Sequence, residues 1–97
     1  MNKKYFFMKL IPPRATFAQD MSETEARLMR EHILYWKVLL EKGICVVFGP
    51  VLDPEGVYGV AIVGVEDETA IGEIEANDPT VKAGVNRFES FPMVATV

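Results

Sequence analysis

A single cysteine, Cys45, and a single histidine, His32, stand alone of their kinds in this chain. One cysteine excludes an intrachain disulfide, and because Cys45 falls inside the apolar run Ile44 to Phe48 it reads as a buried, inert thiol. One histidine and one cysteine cannot furnish an ordinary zinc set, so no metal centre is expected. Positive charge is also scarce: 10 Lys and Arg against 14 Asp and Glu leave a net charge of -4. With Lys3 and Lys4 as the only adjacent basic pair, that balance argues against a nucleic-acid partner, whose phosphates demand a basic patch. No apolar stretch reaches the roughly 18 residues of a membrane span. Met1 to Leu10 reads as a strand rather than a signal peptide, so the expectation is a cytoplasmic protein without a membrane partner. Nor is there a nucleotide-binding glycine pattern: Gly56 and Gly59 fall in a hairpin and do not open a helix. With no haem or flavin signal either, no cofactor is expected.

What is present is the composition of an ordinary globular domain, 49% hydrophobic and 25% charged, and 97 residues suffice for one modest core. Residues 1–97 are therefore read as a single domain. Lys4 to Ile11 is rich in aromatic and aliphatic residues and stops at Pro12-Pro13, which predicts a strand. Pro12 to Met21 reads as irregular. Ser22 and Glu25 have the spacing of a capping box, predicting a long helix from Ser22 to Lys42 that ends at Gly43. Ile44 to Phe48 reads as a strand buried on both faces and broken by Gly49-Pro50. Asp53-Pro54-Glu55-Gly56 is a turn sequence, and Val57 to Val65 completes a hairpin. Asp67 is a candidate cap for a shorter helix through Ala76, which Asn77-Asp78-Pro79 terminates. After a loop through Gly84, Val85 to Val97 is extended, and Pro92 places it at an edge or a bend.

The order β-α-β-β-α-β predicts an α+β, ferredoxin-like fold, a four-stranded antiparallel sheet with two helices on one face. In Tyr5-Phe6-Phe7-Met8 bulky apolar side chains alternate to both faces of the sheet. A monomer would leave one apolar face open to water, so homodimerisation through that face is expected.

His32 is the residue with the most chemistry. At about 100° per residue, Leu28, Met29, Ile33, Trp36, Leu39 and Leu40 share one arc of the long helix and His32 lies within it, while Arg27, Arg30, Glu31, Lys37 and Glu41 lie opposite. An inward imidazole must be satisfied by a specific partner or line a cavity, and the residues alone leave both readings open. Tyr35 and Trp36 are candidates for an aromatic wall of a substrate pocket, although aromatic residues at helical spacing also serve as plain core. Gly49 and Pro50 are candidates for close backbone approach to a ligand. Asp53 is a weaker acidic candidate because its turn explains it, and Arg14 and Arg87 read as solvated surface before they read as anion binders.

Arg30-Glu31-His32 followed by Tyr35, then Gly43, Gly49-Pro50, Asp53, Gly56 and Gly59, and finally Asn77-Asp78-Pro79 with Ala83-Gly84-Val85, resembles the YciI-like (YCII-related) family over nearly the whole chain. The resemblance implies a ferredoxin-like protomer, assembly into a dimeric α/β barrel, and a cavity holding a His and an Asp as a catalytic pair. Carried over, these are His32 and Asp78. Many relatives have a small hydroxyl residue where this chain has Val60, which implies a lost contact or a less polar ligand. Relatives with a defined reaction include dehydrochlorinases of aromatic degradation.

The pair makes chemical sense. An imidazole exchanges protons near neutrality, and a carboxylate on one ring nitrogen fixes the tautomer and stabilises imidazolium. The expected activity is therefore that of a small cofactor-independent enzyme of lyase or isomerase type, dehydrochlorinase-like, acting on a small organic molecule. The alternatives are a non-catalytic dimeric binding or accessory protein that holds a small-molecule ligand, and a structural module in which His32 is satisfied within the core.

Overall fold

Side chains along Lys4–Ile11 alternate strictly between two environments, and this alternation organises the molecule. In the computed structural model, which describes residues 2–97, this segment is strand β1, ended at Pro12 as predicted. Phe6, Met8 and Leu10 are buried on one side, while Tyr5, Phe7, Lys9 and Ile11 turn to the other. There follow α1 (Phe17–Asp20), α2 (Glu23–Glu41), β2 (Cys45–Val51), β3 (Tyr58–Val65), α3 (Thr69–Asn77), α4 (Pro79–Lys82) and β4 (Arg87–Met93). The four strands are antiparallel in the order β2-β3-β1-β4, with the helices packed on one face. This is the α+β, ferredoxin-like topology read from the sequence.

The long helix begins at the expected capping box: Ser22 Oγ accepts from the Glu25 amide at 3.1 Å and the Glu25 carboxylate accepts from the Ser22 amide at 2.9 Å. It ends where Gly43 takes φ +76°, letting the amides of Gly43 and Ile44 reach back to Leu40 and Leu39. Its inward face buries Trp36 and Leu39, with Met29, His32 and Tyr35 partly covered beside them. Ile33 and Leu40, at the edges of the predicted arc, remain exposed. Trp36, Met8 and Val63 form the centre of the core, closed by Ile71 and Ile74 of α3.

Three expectations are corrected. The strand starting at Cys45 is neither buried on both faces nor broken by Gly49-Pro50: β2 is an edge strand, Val46 and Val47 are 48% and 56% exposed, and Gly49 and Pro50 stay in register opposite Val60 and Gly59. A free edge tolerates a proline because no neighbour needs its missing N–H, and a bulge between Cys45 and Val47 re-aims the strand. Pro12 to Met21 contains the short α1, pinned by buried Phe17, and the segment before Gly84 contains α4. Asp67 bonds the Thr69 amide from one position ahead of the cap of α3. Pro92 does lie on an edge strand, β4, paired with Phe6.

On the face away from the helices, Phe7, Val60 and Ile62 occupy the middle strands, flanked by Val47 on β2 and by Phe91 and Met93 on β4. None of the described helices covers them, and Phe7, Val60 and Ile62 are half-buried. Among the described residues no helix is long and apolar enough to cross a membrane.

Candidate active site

Pro79 determines where the site forms. A proline disfavours helical geometry in the preceding residue, so Asp78 adopts φ -63° and ψ 128°, breaking the chain between α3 and α4. Asp78 thereby becomes the cap of α4, with Pro79 at the first position, where its absent N–H costs nothing. Asp78 Oδ1 accepts from the Thr80 amide at 2.8 Å and from the Thr80 hydroxyl at 2.6 Å. The turn itself thus saturates one carboxylate oxygen.

The second oxygen faces α2. Asp78 Oδ2 lies 2.6 Å from His32 Nδ1 and 2.8 Å from the indole Nε1 of Trp36. His32 and Trp36 are four residues apart, so one helical face presents both donors to one acceptor. Asp78 and Thr80 have no exposed surface, and the His32 side chain is only 12% exposed. Burial pushes the Asp78 carboxyl up. The hydrogen bond and charge of His32, with the hydrogen bonds from Thr80 and Trp36, outweigh it and hold the group below its ordinary value. Asp78 is therefore a carboxylate, a group that only accepts, and the His32 proton must sit on Nδ1. In the neutral ring Nε2 is then the basic nitrogen, and it makes no hydrogen bond to the described residues.

His32 lines a cavity of about 490 Å³ between the N-terminal part of α2, the α1 segment and the ends of β1, β2 and β3. That volume is within the range of small-molecule sites. Its walls are mostly apolar: Leu10, Phe17, Met21, Met29, Ile33, Phe48, Leu52 and Val57 contribute, with His32 and Asn86 among the few polar side chains.

The sequence candidates divide around this cavity. The structure brings His32 and Asp78 into contact, and Gly49 and Pro50 form part of the wall. Tyr35 and Trp36 do not line it. The Tyr35 hydroxyl donates to the carbonyl of Ile74 at 2.8 Å, and burial and the nearby Asp78 charge raise its pKa. Trp36, 1% exposed, packs edge-on against Tyr35 and between Phe48 and Phe88. Both act from behind the site, because the aromatic face that approaches Asp78 points into the core.

Asp53 accepts from the Glu55 amide in its turn and borders a different groove. Arg14 is held by Asp20 and Glu25, each at 2.8 Å, and Arg87 pairs with Glu89 at 2.9 Å. Burial raises the Cys45 thiol to about 11, in keeping with an inert side chain. Val60, paired with Lys9 and Gly49, belongs to the face away from the helices and not to the cavity wall. Sequence reasoning missed the hydrogen bond from the Trp36 indole to Asp78, the two hydrogen bonds that Thr80 donates to Asp78, and Asn86. The Asp-Pro-Thr order carried a signal for Thr80, since a capping Asp bonds two residues ahead; nothing local marked Asn86.

A family model for the YCII-related domain matches residues 5–93. The chain belongs to the YCII-related family. Among solved structures, this YCII-related protein is similar to the 5-chloro-2-hydroxyhydroquinone dehydrochlorinase of Burkholderia phenoliruptrix in complex with 2,5-dihydroxybenzoquinone, with a TM-score of 0.64 and 19% identity. The match covers 94% of this chain and 93% of the other. At that identity the likeness is one of fold. No curated protein matches the chain.

Proposed function

We propose that this protein is a cofactor-independent proton-transfer enzyme of lyase or isomerase type whose substrate is a small, largely apolar ring compound. One observation carries the proposal: a fully buried carboxylate bonds Nδ1 of the chain's only histidine at 2.6 Å, and that histidine borders an apolar cavity. In this reading Nε2 of His32 removes a proton from the bound ring, and the Asp78 carboxylate stabilises the imidazolium without taking the proton itself. Returning the proton to another atom is isomerisation. Expulsion of chloride with its bonding electron pair, as the new double bond forms, is elimination of hydrogen chloride. The similar structure is a dehydrochlorinase, which favours the second route.

The reading also includes a homodimer joined through the uncovered sheet face, where Phe7, Val60 and Ile62 otherwise meet water.

The test is chloride release from chlorinated hydroxyhydroquinones, together with deuterium uptake into their unchlorinated analogues, for wild type, His32→Gln and Asp78→Asn. Wild type should turn over and His32→Gln should lose about a thousandfold or more, on the scale of general-base catalysis. Full turnover by folded His32→Gln would sink the proposal. Ligand binding without exchange or release would support the non-catalytic accessory reading instead.

A further inference from the structure

Asn86 is 5% exposed and borders the cavity together with His32 and Met29. Its Nδ2 lies 3.4 Å from Met29 Sδ, a weak acceptor, and its Oδ1 is buried with no partner among the described residues. Exchanging the two amide positions would only move the vacancy to the nitrogen. A buried amide half left unsatisfied is a standing cost to the fold unless something outside the chain completes it.

Its position is not accidental to the site. Gly84, at φ +72°, ends α4 so that the amides of Gly84 and Val85 return to Val81 and Thr80. The Asn86 amide also bonds the Thr80 carbonyl, at 3.2 Å. Thr80 is the residue whose amide and hydroxyl hold Asp78. One turn thus fixes both the carboxylate that orients His32 and the unsatisfied amide beside the same cavity.

We infer that Asn86 is a specificity-determining residue of the cavity, whose side-chain oxygen, sealed from solvent in this conformation, accepts a hydrogen bond from a hydroxyl group on the ligand once the side chain rotates toward the cavity it borders. This rests on the reading of the cavity as a ligand site. In the neutral imidazole, with Nδ1 of His32 committed to Asp78, Nε2 is an acceptor as well, so the cavity offers an acceptor at His32 and another at Asn86. The ligand class that satisfies both is a small ring bearing two hydroxyl groups, one directed to His32 and the other to Asn86.

The experiment measures dissociation constants of methylhydroquinone and meta-cresol, which differ by one hydroxyl, by NMR titration under argon. It uses wild type, Asn86→Leu, which keeps the side-chain shape, and Asn86→Ala, which adds no bulk. His32 ring resonances report occupancy of the cavity. Wild type should prefer methylhydroquinone by about three- to tenfold, the size of one net hydrogen bond, and both variants should bring the ratio to about one. Binding at His32 with the same ratio in wild type and in whichever variant folds overturns the role of Asn86 and leaves the cavity reading standing. Failure of both probes to perturb His32 in wild type overturns this inference together with the reading on which it rests.

Discussion

On the helix side of the sheet, Phe6 and Met8 of β1 are buried with Trp36 and Leu39 of α2 and Ile71 and Ile74 of α3, and Leu10 is buried beside the cavity, whereas on the other side Phe7 and Ile62 are only half-buried and Phe91 is 51% exposed. The two faces have similar composition and opposite fates. What separates them is the presence of polar order. The covered face is closed by a helix whose His32 and Trp36 are tied to Asp78, while the open face is mostly apolar, with Lys9 over the Tyr58 ring at 4.5 Å and opposite Glu89. The first is complete within one chain and is specific. The second is the face that the proposed homodimer would cover.

The comparison breaks most severely at Asp78. Asp78→Ala removes the acceptor for His32, Trp36 and both donors of Thr80, leaving buried donors unpaired. It should destabilise the protein by about 3–5 kcal/mol in urea denaturation, while Asp78→Asn, which retains an acceptor oxygen, should lose less. On the open face, Ile62→Lys should leave the far-ultraviolet spectrum intact and weaken self-association by about a hundredfold, a loss of about 2–4 kcal/mol of binding, read by sedimentation velocity. Unchanged sedimentation as a dimer would remove the sheet face as the interface.

Acid sharpens the same contrast. The Asp78 carboxyl titrates below its ordinary value of 3.8 in the folded protein, so its stabilising contribution is present above that pH and is lost as pH falls through the lower folded value. Glu25, drawn down from 4.5 to about 2 by Arg14 and the Ser22 amide, loses its smaller surface contribution over that interval. Urea midpoints should therefore fall as pH drops below 4.5, and Asp78→Asn should remove the part of the fall that begins under pH 3.8. The smallest effect is expected at the cap of α2: Ser22→Ala should cost about 1 kcal/mol in the same assay without changing ligand binding.

Much of this was legible because it is local. The capping box at Ser22 and Glu25, the stop at Gly43, Pro12-Pro13 after β1 and Pro79 after α3 act over a few residues, and the structure places each where the pattern indicates. His32 was conspicuous as a polar residue within an apolar arc. Asp78 entered through the family resemblance as a partner for His32, while the residues themselves marked only the break at Asn77-Asp78-Pro79; in the structure one carboxylate oxygen meets His32 Nδ1 and the other accepts from Thr80. The apolar run from Cys45 misled because composition records how hydrophobic a strand is and not whether it has a neighbour on each side. Tyr35 and Trp36 misled similarly: helical spacing placed them near His32, but not on which side of Asp78 they would lie.

The sequence by itself determined the order of the main strands and helices, the absence of disulfide chemistry, and the one imidazole on the inner face of α2. Each is set by backbone preference, periodicity or plain count. Only the tertiary structure decided that β2 and β4 are the edges, that His32 and Asp78, 46 residues apart, meet at hydrogen-bond distance, and that Asn86, with an oxygen that has no partner among the described residues, borders the cavity that His32 lines. These depend on contacts between distant segments, which the packing of α2 against α4 and the sheet creates and no local preference encodes.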